Sequence, residues 1–199
     1  NALKGARAID ECHSGTKRPH ICILGMDDYG MLSGEKTTKY IGGETVQHVL
    51  LARAWRQLGF DVSLIVHNQG QPKVEIIDGI QVISACARRA GLRGIRFIHP
   101  HSTSILSAMR EANADVYYQS QAGYDTGLVA WFCRRHGKRF AFRISSDAYC
   151  IPDKQLAMWR DRKVYTYGLR RADLIIAQTE HQRQLLRTHF GLETELANM

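Results

Sequence analysis

The chain has 199 residues, 44% of them hydrophobic and only 4 of them proline, with 27 Lys and Arg against 19 Asp and Glu for a formal charge of +8. Such a length and apolar content suit one domain with a sizeable core and exclude a disordered or collagen-like chain, and no apolar run approaches the roughly 20 residues that cross a bilayer. The charge favours anionic partners such as phosphates, nucleic acid or a lipid surface, and it clusters at Arg88, Arg89, Arg93 and Arg96, at Arg134, Arg135, Lys138, Arg139 and Arg143, and at Arg160, Arg162, Lys163, Arg170 and Arg171.

Residues 1–18 hold Lys4, Arg7, Asp10, Glu11, Lys17 and Arg18 with no apolar block, so they read as a flexible extension, and a signal peptide is not expected. The run Ile21 to Met26, followed by Asp27-Asp28, reads as a buried first strand. Residues 28–43, with Gly30, Gly34, Gly42 and Gly43, form a long loop and hence a candidate site. Val46, Val49, Leu50, Ala54 and Leu58 then recur at helical spacing until Gly59. Asp61 to Val66 is a second strand and Gly79 to Ser84 a short third one. Helices are expected over 102–113, 125–136 and 154–171, and strands over 115–119, 139–145 and 173–178. The last helix opens on Thr179-Glu180-His181-Gln182, a capping box, and closes at Gly191. Strands alternating with helices of this length predict a doubly wound, Rossmann-like α/β fold, a parallel sheet with helices on both faces, over residues 19–196.

In such a sheet ligands lie beyond the carboxyl ends of the strands. Those ends carry Asp27, Asp28, Gln119, Ser120, Gln121, Ser145, Ser146, Asp147, Gln178, Thr179 and Glu180. Gly34-Glu35-Lys36-Thr37 lacks the spacing and the following helix of a phosphate-binding P-loop, and no G-x-G-x-x-G follows the first strand. Gly42-Gly43, directly before a helix, leaves free N–H groups where an anion or a sugar hydroxyl could sit, or else makes a tight turn. Asp147 suits hydrogen bonding to a substrate hydroxyl, action as a base, or capping of the next helix. His48, His67, His99, His101 and His136 show no metal-like spacing apart from His99-x-His101, so no metal is assigned. The five cysteines (Cys12, Cys22, Cys86, Cys133 and Cys150) contain no C-x-x-C pair; neither a disulfide framework nor a zinc site is indicated, and a cytoplasmic compartment is expected. The segment from Arg88 to Ile98 mixes cations with Leu92, Ile95 and Phe97, a composition that suits either an anionic bilayer surface or a basic loop.

Together these features resemble a known family. Gly42-Gly43-Glu44, leading into Leu51-Ala52-Arg53-Ala54-Trp55-Arg56-Gln57-Leu58-Gly59-Phe60-Asp61-Val62, is similar to the opening of family 4 glycosyltransferases with the GT-B fold. Ala114 to Gln119 and on to Gly137-Lys138, the strand into Ser145-Ser146-Asp147, and Arg171 to Thr179 resemble successive blocks of that family's N-terminal half. The resemblance covers about residues 20–199. It implies retaining transfer of a hexosyl group from a nucleotide diphosphate sugar to a polysaccharide or lipid-linked acceptor held mainly by this half. No cofactor is implied beyond the nucleotide sugar as co-substrate. A second α/β domain would bind the nucleotide, with Ala197-Asn198-Met199 resembling the start of the connection to it, and the isolated half is expected to be inactive.

Carried over by position, Gly42, Gly43 and Glu44 would face the donor's diphosphate and sugar. Gln119, Gln121 and Tyr124, with Arg143 and Ser146, would line the acceptor pocket. The family often has a His at the end of the strand over 139–145, where this sequence offers Ser145, Ser146 and Asp147, so Asp147 takes the catalytic assignment. Arg88, Arg89, Arg93, Arg96 and Phe97 would approach a lipid-linked acceptor at an anionic membrane, placing the protein peripherally on its inner face. Two other readings stand beside this one: a stand-alone α/β domain that holds a phosphorylated ligand at Gly42-Gly43, and a nucleic-acid module, which the charge permits and the absence of any recognised motif disfavours. No nucleic-acid partner is expected.

Overall fold

A computed structural model of the chain describes residues 18–34, 42–92, 97–152 and 156–197. Its centre is an eight-stranded sheet in the order β3-β4-β2-β1-β5-β6-β7-β8. Strand β1 (His20–Leu24) lies between β2 (Asp61–Val66) and β5 (Val116–Gln119), and both neighbours run parallel to it. The outer strands β4 (Ile80–Ser84), β6 (Arg139–Arg143), β7 (Leu174–Ala177) and β8 (Glu195–Leu196) extend the parallel sheet on either side. The chain order reverses at β1, so a crevice opens beyond the carboxyl ends of β1 and β5.

The expectation of a wholly parallel sheet is corrected at one edge. Strand β3 (Val74–Ile77) pairs antiparallel with β4. The turn between them is Asp78-Gly79, with φ of 52° and 74°, the left-handed pair that a two-residue hairpin needs. Arg53 Nε and one terminal nitrogen donate to Asp78 Oδ2 at 3.0 and 2.8 Å and fasten the hairpin to a helix.

Six α-helices flank the sheet among the described residues: α1 (Tyr29–Ser33), α2 (Gly43–Gln57), α3 (Thr103–Ala112), α4 (Tyr124–His136), α5 (Trp159–Leu169) and α6 (Glu180–Phe190). Helix α1 occupies part of the segment expected to be loop over 28–43; residues 35–41 lie outside the described residues. The helix expected over 154–171 begins only at Trp159, because the chain first makes a short 3-10 turn over Asp147–Cys150. Alternate strand residues face opposite layers, as the pleat requires. Cys22, Ile65, Tyr117, Phe140 and Phe142 pack under α3, α4, α5 and α6, whereas Ile23, Leu64, Val82 and Tyr118 pack under α1 and α2.

Helices α4 and α5 approach closely through two glycines. A Cβ on Gly127 would lie 2.5 Å from the Val164 carbonyl oxygen, and one on Gly168 would lie 2.5 Å from that of Thr126. The α6 cap is half of what the motif predicts. Thr179 Oγ1 accepts from Gln182 N at 3.1 Å, yet Gln182 Oε1 accepts from Gln178 N at 2.9 Å, one residue before the N-cap. Gln182 is buried, so its side chain lies along the sheet end instead of turning back over the cap.

Candidate functional site

At the carboxyl end of β1 the chain turns sharply. Asp28 N donates to Gly25 O at 3.0 Å, which folds the Asp28 side chain back over Gly25. A Cβ on residue 25 would sit 1.6 Å from Asp28 Oδ2, so only glycine allows this fold-back. Across the crevice, α2 starts at Gly43 with Gly42 extended before it (φ −74°, ψ 152°) and no side chain capping the first N–H groups. Helical spacing places Glu44 and His48 on one face of α2, one turn apart. Ser120 follows β5 directly and is fully buried.

These four side chains form one continuous hydrogen-bonded chain. His48 Nδ1 lies 2.6 Å from Asp28 Oδ2, His48 Nε2 lies 2.7 Å from Ser120 Oγ, and Ser120 Oγ donates to Glu44 Oε1. Asp28, His48 and Ser120 are buried, while Glu44 is half-buried at the mouth. Three links need three hydrogens; the serine hydroxyl and a neutral imidazole supply two. The full set of bonds therefore forms only when the chain holds one further proton. Tyr118 packs edge-on against His48 and against Trp55, with ring centroids 5.9 and 5.5 Å away, and holds the imidazole plane. Burial pushes the Tyr118 phenol up to about 12, against the opposing pull of Arg143, so this ring carries no charge near neutral pH. A small cleft of about 40 Å³ opens between Asp28, Glu44, His48 and Gln121, room for a single hydroxyl or water.

The sequence-derived candidates divide among several places. Gly42 and Gly43 are exposed at the start of α2, and an added Cβ would meet nothing within 4 Å at either. Glu44 turns its carboxylate onto Ser120. A carboxylate so placed can accept from a sugar hydroxyl, whereas it repels a phosphate. Gln121 is exposed at the rim of the small cleft. Gln119 is buried at the end of β5, and its Oε1 has no hydrogen-bond partner among the described residues. Arg143 is buried at the end of β6, beside Tyr118.

Asp147 is exposed, with Oδ1 accepting from Gln182 Nε2 at 2.9 Å. Ser146 is occupied locally, its Oγ accepting from Ala148 N at 3.4 Å. Ser145 Oγ donates to Ser120 O at 3.0 Å, which ties the end of β6 to the buried chain.

Tyr124 lies in a separate groove of about 250 Å³ together with Arg88, Phe97, His101, Asp125 and Arg160. Phe97 is half-buried there, edge-on to Tyr124 at 5.8 Å, with the Arg160 guanidinium 4.0 Å above its ring. Arg88 is exposed and lies 3.4 Å from Asp27. Arg89 is exposed as well, and Arg93 and Arg96 lie outside the described residues. His101 Nε2 is 2.7 Å from Asp125 Oδ1, a hydrogen bond that raises its pKa against the opposing effect of burial. Its neighbour His67 is shifted down, mainly by burial.

His48 is the residue that sequence reasoning missed as a site member. Its signal was present: a polar residue four positions after Glu44, on the apolar face shared with Val49 and Ala52. Asp28 and Ser120 were named as strand-end residues, without the histidine that joins them. Among the described residues no group of three or more His, Cys, Asp or Glu could hold a metal ion, and no helix is long and apolar enough to cross a membrane.

A family model described as "Glycosyl transferase 4-like domain" matches residues 42–197. No curated protein matches the chain in sequence. Among solved structures, similarity extends to a protein assigned as a UDP-N-acetylglucosamine 2-epimerase from Listeria monocytogenes, at a TM-score of 0.55 and 9% identity, over 87% of this chain and 43% of that one. It extends also to Glycyrrhiza uralensis UGT73P12 in complex with glycyrrhetinic acid 3-O-monoglucuronide, at a TM-score of 0.47 and 8% identity, over 92% of this chain and 48% of that one. The chain thus spans less than half the length of either structure.

Proposed function

The chain belongs to the family of glycosyl transferase 4-like domains, and from that premise we propose that it is the acceptor-side half of a retaining glycosyltransferase that moves a hexosyl group from a nucleotide diphosphate sugar to a polysaccharide or lipid-linked acceptor. A second α/β domain supplies the nucleotide pocket and closes over the crevice beyond β1 and β5, the place where ligands of such sheets bind. Residues 19–196 form this half.

The observation that carries the reading is the buried chain from Asp28 through His48 and Ser120 to Glu44, next to the uncapped start of α2. A retaining transfer builds negative charge on the departing diphosphate. The first N–H groups of α2, which no side chain caps, stabilise that charge through hydrogen bonding and the helix dipole. Glu44 accepts from a hydroxyl of the transferred sugar, held in orientation by Ser120. The hydrogen-bonded chain behind it holds Glu44 in position while the sugar moves. Gln121 stands at the same rim and orients the acceptor. Asp147, positioned by Gln182, accepts from the acceptor's attacking hydroxyl. Gln119, Arg143 and Ser146 shape the floor on that side, and Tyr124 with Phe97 and Arg88 provides an outer groove leading away from the reacting centre, toward the lipid of a membrane-bound acceptor.

The test is transfer by the full-length gene product, with each nucleotide diphosphate sugar offered in turn and the anomeric configuration of the product read by NMR. A product that keeps the donor's configuration supports the reading. An inverted product overturns the retaining assignment, and release of free sugar regardless of acceptor overturns the acceptor role.

A further inference from the structure

A concavity of about 510 Å³ lies where β6 and β7 begin, lined by Arg134, Lys138, Arg139, Arg170, Arg171 and Asp173. The strands are parallel, so this is the amino end of the sheet, opposite to Ser120 and Glu44. Five cations meet one carboxylate there. Asp173 is already committed: its Oδ1 accepts from Arg139 at 2.8 Å and its Oδ2 from Phe140 N at 2.9 Å, joining β6 to the start of β7. Arg134, Lys138, Arg170 and Arg171 have no carboxylate within ion-pair distance among the described residues; Arg171 lies over the Tyr167 ring and Lys138 Nζ donates to Asn113 O at 3.4 Å.

Helix dipoles account for part of this. Arg134 is in the last turn of α4 and Arg170 directly follows α5, where a cation is favoured. They do not account for the convergence, because two helix ends and a strand start deliver their cations to one hollow, where like charges repel. A bound anion relieves that repulsion. Guanidinium groups match phosphate oxygens in pairs, and four arginines and a lysine around one hollow of about 510 Å³ suit a ligand that carries more than one negative charge.

We propose that this hollow is a second site, remote from the candidate active site, that binds a phosphate-rich anion, either a soluble oligophosphate or the headgroup of an anionic phospholipid. The proposal stands independently of the transferase reading. Its test uses the full-length protein, titrated calorimetrically with sodium tripolyphosphate at low and high salt and floated with vesicles of phosphatidylglycerol or of phosphatidylcholine. The double variant Arg134→Glu/Arg171→Glu is compared with Arg183→Glu/Arg187→Glu, which makes the same charge change on the exposed face of α6. Binding that falls with salt, drops roughly tenfold or more in the first variant and stays near wild type in the second supports the site. Tripolyphosphate binding without flotation identifies a soluble ligand, and flotation on phosphatidylglycerol alone identifies the headgroup. Absence of both, or equal loss in the two variants, overturns it.

Discussion

His48 Nδ1 stands 2.6 Å from Asp28 Oδ2, and the contact exists because residue 25 has no side chain. The Asp28 carboxylate occupies the volume that a Cβ on Gly25 would take. Substituting Gly25→Ala therefore pushes Asp28 off His48 and leaves a buried carboxylate and a buried imidazole without each other. The expected cost is about 3 kcal/mol, of the order seen when a buried pair loses a partner, measured by urea denaturation. Unchanged stability would show that the Asp28 contact is not a feature of the folded protein.

The buried hydrogen-bonded chain links residues that do not touch. Asp28→Asn and Glu44→Gln sit at opposite ends, with His48 and Ser120 between them. Each change alters which hydrogens the middle residues must supply. A double-mutant cycle is expected to give a coupling of about 1 kcal/mol or more, well above the near-additivity of independent sites. Additive effects would mean that the links form independently.

Two kinds of glycine make opposite predictions. Gly168→Ala forces α4 and α5 apart, because its Cβ would lie 2.5 Å from the Thr126 backbone; a loss of about 1–3 kcal/mol or more is expected. Gly42→Ala meets nothing within 4 Å, so its cost is confined to the weaker N-cap preference of alanine, about 1 kcal/mol or less. A fall in transfer rate in Gly42→Ala would then report on a ligand and not on the fold.

The His101–Asp125 hydrogen bond makes stability depend on pH in a definite direction. His101 is raised in the folded chain, so its contribution is complete below the unfolded value of about 6.5 and is lost as pH rises through the folded value. Asp125→Asn should thus cost more near about pH 5.5 than near about pH 8. His67, shifted down by burial, has the opposite sign: its contribution is present above about 6.5 and lost as pH falls. The variant His101→Asn should remove the first trend, read from denaturation midpoints across the same range.

Much of the fold was legible because the strands are continuous apolar runs between turn residues; β2 was bounded at Asp61 and Val66, as observed. The missed hairpin was also written in the sequence. Asp78-Gly79 separates Val-Glu-Ile-Ile from Ile-Gln-Val-Ile, the pattern of a tight two-residue turn, but the parallel rhythm drew attention to β4 alone. The site was harder. Strand-end reasoning reached Asp28 and Ser120, since topology alone puts them at the crevice. It did not reach His48, because a histidine on the apolar face of a helix reads as core until its two ring nitrogens are seen to meet partners 20 and 72 residues away. The fold-back of Asp28 over Gly25 likewise leaves no periodic trace.

The central claim, that this crevice serves glycosyl transfer, is met most directly by kcat/KM of the full-length gene product on its best nucleotide sugar, measured for wild type, Glu44→Gln and His48→Asn. The account predicts measurable transfer by the wild type and a fall of about 100-fold in both variants, since each loosens the group that orients the sugar. Transfer undiminished in both variants, or none by the wild type from any nucleotide diphosphate sugar, would contradict it.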